Sequence, residues 1–178
     1  MMHFDGYLIR LLTPEDFEAF FQLVETNRAR LASFFTGTVS RTKTREEARA
    51  FVLDITQRAK ERTYFPYIIV DTSNGKIAGF LDLKNIDWSI PKSEMGCYID
   101  VAYEGKGITT KAFCQFVDFC FAEHRFQKLF LRTHHSNTSA RRVAEKAGFE
   151  IEGVIRRDYK TTAGELVDLI YYGKLSAS

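Results

Sequence analysis

The stretch that most restricts this chain is "EMGCYIDVAYEGKGITTKAF", residues 94–113. An alternating apolar run, the mark of a half-buried strand, ends at Val101. Gly105 and Gly107 follow one residue apart, and a helical apolar pattern begins at once. A strand therefore hands over to a helix through a very short loop, as in α/β units. Two readings of the glycines compete. One is a tight turn, where glycine reaches backbone angles that strain other residues. The other is an anion cradle, with backbone N–H groups and a helix N-terminus aimed at a phosphate. A dinucleotide-binding fingerprint is excluded, because its third glycine falls on Thr110. A Walker loop is excluded as well, since G-x-x-x-x-G-K-[ST] occurs nowhere.

The 178 residues suffice for one domain, 1–178, with a real core. Hydrophobic residues make up 45% and charged residues 27%, a globular composition. The formal net charge is only +2, with no basic stripe interleaved with aromatics, so nothing points to nucleic acid. No apolar run reaches the ~18 residues of a membrane span. The N-terminus lacks the basic start and apolar stretch of a signal peptide. Cys97, Cys114 and Cys120 are odd in number, without C-x-x-C spacing, in apolar surroundings. They read as reduced core residues rather than a disulfide frame or metal site, and the compartment as cytoplasmic.

Along the chain, "YLIRLLT" (7–13) alternates as a first strand. Thr13, Pro14, Glu15 and Asp16 then form a helix start, and Phe17, Phe20, Phe21 and Val24 recur at helical spacing. "ARLASFF" (29–35) is apolar and helical in part. Thr44 and Glu47 make a capping box for a second helix running to about Arg62. Strands 65–71 and 76–84 flank Asn74-Gly75, a hairpin signal because both residues tolerate positive φ. After strand 94–101 comes a helix over about 107–124, apolar on most sides and so buried on more than one face. Strand 128–135, a helix 139–147 closed by Gly148, and two last strands joined at Thr162-Ala163-Gly164 complete the order. That order predicts α/β (α+β) architecture, with one sheet and helices on its faces.

Order and motifs together resemble the GNAT superfamily of acyl-CoA N-acyltransferases, and within it the Rim-type ribosomal-protein N-acetyltransferases. The likeness covers nearly the whole chain. It is carried by "SEMGCYID", "YEGKGITTKAF", "SNTSARRVAEKAGFEIEG" and "AGELVDLIYYGKL". It implies a mixed, mostly antiparallel sheet of six to seven strands flanked by helices on both faces, acetyl-CoA as cosubstrate, and often a homodimer. It also decides between the two readings of the glycines: in such proteins the loop's amides receive the pyrophosphate of coenzyme A. The cofactor-binding residues implied are Val101, Glu104, Gly105, Lys106, Gly107, Ile108 and Thr109, with Asn137 on the pantetheine arm. Asn also caps helices in any protein. The family usually has Gln or Arg where Glu104 stands, and Gly or Ala where Thr109 stands. A glutamate beside a phosphate repels it unless turned away, whereas the Thr109 hydroxyl can donate to a phosphate oxygen.

Acetyl transfer to an amine needs a base, donors for the oxyanion, and an acid for the departing sulfur. Glu94 matches the family's E-[IV]-G-Y-x-[LI] segment and is the implied base. Period-two alternation puts it on one strand face with Gly96, Tyr98 and Asp100, and the plain alternative is a solvated strand-end carboxylate. Backbone N–H groups near Val101 are the expected oxyanion donors. The family's serine, three residues after the asparagine, is replaced by Ala140. Ser139 lies one residue early, which on a helix is ~100° of rotation. Ser139 is carried as the candidate acid, with Thr138, Tyr171 or a water as alternatives. His134 and His135 end a strand, as relays or plain surface residues. They form no metal site, lacking a third ligand at plausible spacing. Phe34 and Phe35 are candidates for an acceptor groove. Arg141 or Arg142 faces solvent or the cofactor's ribose phosphate.

The resemblance implies transfer of an acetyl group to a primary amine, foremost a protein's N-terminal amine, ribosomal proteins included. The alternatives are a small amine such as a polyamine, or a coenzyme A-binding protein with little turnover.

Overall fold

The computed structural model describes residues 1–177. One eight-stranded sheet runs in the order β1-β2-β3-β4-β5-β6-β8-β7. The strands are β1 (Met2–Phe4), β2 (Tyr7–Leu11), β3 (Phe65–Asp71), β4 (Ile77–Asp87), β5 (Lys92–Ile99), β6 (Lys128–Thr133), β7 (Glu150–Lys160) and β8 (Leu166–Leu175). Every neighbouring pair is antiparallel except β5 and β6.

The helices are α1 (Phe17–Leu31), α2 (Thr36–Ser40), α3 (Arg45–Lys60), α4 (Ile108–Ala122) and α5 (Thr138–Lys146). One buried cluster joins α1 and α3 to the sheet through Phe20, Val24, Phe51, Ile55, Phe80 and Tyr98. The other joins α4 and α5 through Phe113, Phe116, Ala144, Leu81, Met95 and Leu129. Alternation along β4 and β5 sorts the residues between these two faces. Even-numbered residues 80, 82, 94, 96 and 98 face α1 and α3.

The sheet has eight strands, one more than the expected maximum. β1 is only three residues long, too short to show alternation. Its signal was Asp5-Gly6, which adopts φ of 42° and 82° in the two-residue turn between Phe4 and Tyr7. The Asn74-Gly75 hairpin forms, but only Gly75 takes positive φ, at 71°. Asp71 shapes that loop, accepting hydrogen bonds from the Ser73 N–H and from Asn74 Nδ2.

The first helix opens with a 3-10 turn over Pro14–Asp16 before α1 begins. Its buried stripe is Phe20, Leu23, Val24, Asn27 and Leu31, with Phe21 only half-buried. Thr44 caps α3 as its sequence predicts, accepting the Glu47 N–H at 3.2 Å. The helix ends at Lys60, and Arg62 beyond it sits at φ 58°. The strand expected over 94–101 spans 92–99 instead. Asp100 then caps a 3-10 turn, Val101–Tyr103, by accepting the Ala102 N–H.

Candidate active site

The one parallel pair in the sheet barely pairs. β5 and β6 are in register only from Lys92–Lys128 to Glu94–Phe130. Beyond Glu94 they part, and the C-terminal ends of two central strands enclose a wedge. The Asp100 N–H donates to Ala78 O on β4 at 2.8 Å, which fixes the alternation along β5. Cys97 and Ile99 therefore turn their N–H and C=O groups toward the wedge. A helix starts at each arm of its mouth, α4 after β5 and α5 after β6. Two helix N-termini, each with partial positive charge, bracket one opening; at α5 the N–H groups of Asn137, Thr138 and Ala140 are already paired, and only that of Ser139 has no acceptor among the described residues.

The glycine loop forms the α4 side of this mouth. Gly105 has φ 73° and Gly107, the N-cap of α4, has φ 74°, a region costly for residues with a Cβ. A Cβ at either position meets no protein atom within 4 Å, so both glycines border open space. Among the described residues no acceptor takes the N–H of Gly105, Lys106 or Gly107. Ile108 anchors the helix start in the core. Thr109 is half-buried in its first turn. Glu104 turns away from the loop and is held by Arg30 of α1, which cancels its charge. Lys106 folds back to donate to Ala102 O at 2.9 Å.

Val101 requires a correction. It lies in the 3-10 turn, and its N–H donates to the buried Asn27 Oδ1 at 3.0 Å. That donor is spent, so the N–H groups facing the wedge belong to Cys97 and Ile99. Asn27, which ties α1 to the end of β5, resembled any polar residue of a helix in sequence.

On the other side of the mouth Asn137 caps α5, its Oδ1 accepting the Ala140 N–H at 3.2 Å. Its Nδ2 makes no hydrogen bond within the described residues. Ser139 is exposed in the first turn of α5, and Ala140 is half-buried beside it. His134 Nδ1 lies 2.7 Å from Ser136 Oγ, and the rings of His134 and His135 sit 4.1 Å apart. Arg141 donates to Tyr172 Oη at 3.3 Å and to His135 O at 3.3 Å, which engages its guanidinium within the protein.

Glu94 marks the point where the strands part. It is only 4% exposed, which removes the reading of a solvated strand end. Arg132 on β6 grips it twice, Nε to Oε1 at 3.0 Å and Nη2 to Oε2 at 2.9 Å. Asn85 donates to Oε2 at 2.6 Å, and Lys84 Nζ stands 3.9 Å from Oε1. A carboxylate has four lone-pair sites, and Oε1 keeps one of its two. Arg132 also reaches Asp158 at 3.1 Å, and Asp158 accepts the Tyr171 hydroxyl at 2.8 Å. Burial opposes the charge on Arg132, but the Glu94 carboxylate outweighs it and raises the pKa. The Tyr171 pKa is raised by burial and by its bond to Asp158, so this phenol stays protonated. The signal for Arg132 in the sequence is a charge directly after the apolar run Leu129–Leu131, though nothing there names its partner.

Residues 7–150 match the acetyltransferase (GNAT) domain. The chain belongs to this family. It is an acetyltransferase of GNAT type. YdaF of Bacillus subtilis (strain 168), provisionally named a ribosomal N-acetyltransferase, is 30% identical over 174 residues, 94% of this chain and 90% of YdaF. The spermidine N(1)-acetyltransferase of Escherichia coli (strain K12) is 29% identical over 86 residues, 48% of this chain and 46% of that enzyme. The ribosomal L7/L12 alpha-N-protein acetyltransferase RimL, solved with coenzyme A, has the same fold, with TM-score 0.88 and 19% identity over 96% of this chain and 94% of that one. Acetyl-CoA, the acetyl donor of the GNAT family, carries a pyrophosphate. The free amides and open space at Gly105–Gly107 suit it. No helix among the described residues is long and apolar enough to cross a membrane.

Proposed function

We propose that this GNAT enzyme transfers the acetyl group of acetyl-CoA to the N-terminal amine of a protein, a ribosomal protein foremost. One observation carries the donor half of this reading: the wedge between β5 and β6, with a helix N-terminus on each side and a run of unpaired amides at Gly105–Gly107. Gly105, Lys106, Gly107, Ile108 and Thr109 would hold the pyrophosphate through their backbone, and Asn137 Nδ2 is free for an amide oxygen of the pantetheine arm. The acceptor half is supported by YdaF, similar along nearly the whole chain.

The chemistry follows from the groups at the parting point. The amine arrives protonated, and Glu94 takes its proton, directly or through a water on the free lone pair of Oε1. The nitrogen lone pair then attacks the thioester carbonyl carbon. Charge on its oxygen is met by the N–H groups of Cys97 and Ile99. The C–S bond breaks, the acetylated nitrogen gives up its second proton to solvent, and the thiolate, whose parent thiol titrates near ~8.5, takes a proton from a water or from Ser139, which solvent reprotonates. Ala140→Ser is expected to leave kcat unchanged or raise it, because it adds a hydroxyl on the half-buried side of the α5 start. A tenfold fall in kcat would show that the site depends on alanine there.

A second reading, transfer to a small polyamine, is supported by the spermidine enzyme and by the acidic side chains Asp82, Glu94 and Asp158. Mass spectrometry of protein N-termini, from cells with and without this protein, separates the two when run beside a thiol-release assay on spermidine. Loss of acetylation at defined N-termini is the expected result. Unchanged N-termini with rapid release on spermidine would establish the second reading.

A further inference from the structure

The sheet face under α1 and α3 holds a carboxylate that the transfer chemistry above leaves unused. Asp82 on β4 is 6% exposed. Its Oδ2 accepts the Tyr64 hydroxyl at 2.5 Å, while Oδ1 has no partner among the described residues. Gly96 lies opposite Asp82 in the register, and a Cβ there would collide with Oδ1. Glycine at 96 is what lets this oxygen settle against β5. Lys84 pairs with Glu94 and makes no ion pair with Asp82. The next residue along this face of β5, Tyr98, is also 6% exposed, and its hydroxyl is the other buried polar atom without a partner.

Two buried, unpaired polar atoms on one patch of sheet are costly unless a visiting group satisfies them. Their chemistry restricts the visitor. Oδ1 only accepts hydrogen bonds and carries negative charge, so it refuses anions and calls for N–H or O–H donors. Tyr98 Oη can accept a second bond from the same donor group. Aromatic rings line the rest: Tyr98 stacks on Phe80 at 5.4 Å and meets Phe35 edge-on at 4.9 Å. Such walls suit methylene groups and a cation together. Phe35 lies next to Thr36, which lines an open groove of about 600 Å³ between α2 and the β7–β8 turn.

We propose that Asp82 Oδ1 and Tyr98 Oη form a seat for the primary ammonium group of the acceptor, with Gly96 making room for it. The proposal rests on the amine-acetyltransferase reading and specifies where the amine is captured before Glu94 removes its proton. Because the seat acts on the charged form as it arrives, its loss falls on KM for the amine and leaves the chemical step largely intact.

The first test needs no turnover. Propylammonium chloride is added to the full-length protein, and the melting temperature is followed. Wild type is expected to gain stability, while Asp82→Asn and Tyr98→Phe gain little or none. Tetramethylammonium, with the same charge and no N–H, is expected to have no effect. Equal stabilisation of wild type and Asp82→Asn, equal stabilisation by the two cations, or no response of wild type would each overturn the seat; the last would mean that water alone sits there. The second test is steady-state transfer with two acceptors, spermidine and a short peptide with a free N-terminus. Whichever one wild type acetylates identifies the source of the ammonium. For that acceptor Asp82→Asn is expected to raise KM at least tenfold, with kcat within threefold and KM for acetyl-CoA unchanged. An unchanged amine KM in both variants sinks the seat and leaves the acetyltransferase reading standing. Propylammonium binding without transfer to any amine does the reverse.

Discussion

Glu94→Gln is expected to lower kcat by about 10²–10⁴-fold, the usual worth of a general base, while KM for acetyl-CoA stays within about threefold. Glutamine keeps the size and still offers one oxygen to Arg132, but it cannot take the amine's proton. The activity left should rise with pH, because more of the amine then arrives neutral, with reference pKa values of ~7.7–8.0 for an α-amino group and ~10.4 for lysine. Glu94 is also the buried partner of Arg132 and Asn85, so the substitution disturbs a hydrogen-bond network. Losing a charged partner typically costs ~1–3 kcal/mol of stability, and the melting temperature should fall with kcat. The two effects are separable. A purely structural Glu94 predicts lost stability with kcat per folded molecule unchanged and no recovery at high pH. That outcome would move the base elsewhere, with His134 and His135 next in line.

For Gly107→Val, coenzyme A binding should weaken by at least about tenfold, or ~1.4 kcal/mol, with the fold retained. Two causes add. A β-branched residue at φ 74° is strained by about 1–3 kcal/mol, so the start of α4 must rearrange. Its methyl groups would also stand in the open space over the loop where the phosphates have to reach the amides. Gly153→Val is the control, since that glycine also borders open space but lies in β7 without positive φ. Calorimetry should show the control binding coenzyme A like wild type. Wild-type affinity in Gly107→Val would mean that the phosphates sit elsewhere.

The residues themselves settled a good deal. The alternating run into Gly105 and Gly107, the Thr44 cap, the Asn74-Gly75 hairpin and the apolar helix expected over about 107–124 and found over 108–122 are local matters. Each follows from propensities and backbone sterics within a few residues, and so was readable without a fold. The motif order carried the family for the same reason, because each motif is a contiguous piece of chain. Even the lapses were local: Asp5-Gly6 announced a β1 too short to alternate, and Asn74 did not need the positive φ it tolerates.

What only the tertiary structure decided is which groups are already engaged. Glu104 looked hostile to phosphate until Arg30, 74 residues earlier, turned it aside. Val101 looked free until Asn27 took its N–H. Glu94 could be read as solvated until β6 brought Arg132 against it, and Asp82 carried no signal at all until register set it over Gly96. Sequence spacing encodes the direction of a side chain along its own strand or helix. The partner of a buried charge is set by which strands lie side by side, and that depends on long-range pairing. The wedge itself is of this kind, since it exists only because β6 lies beside β5 and their pairing stops at Glu94 and Phe130.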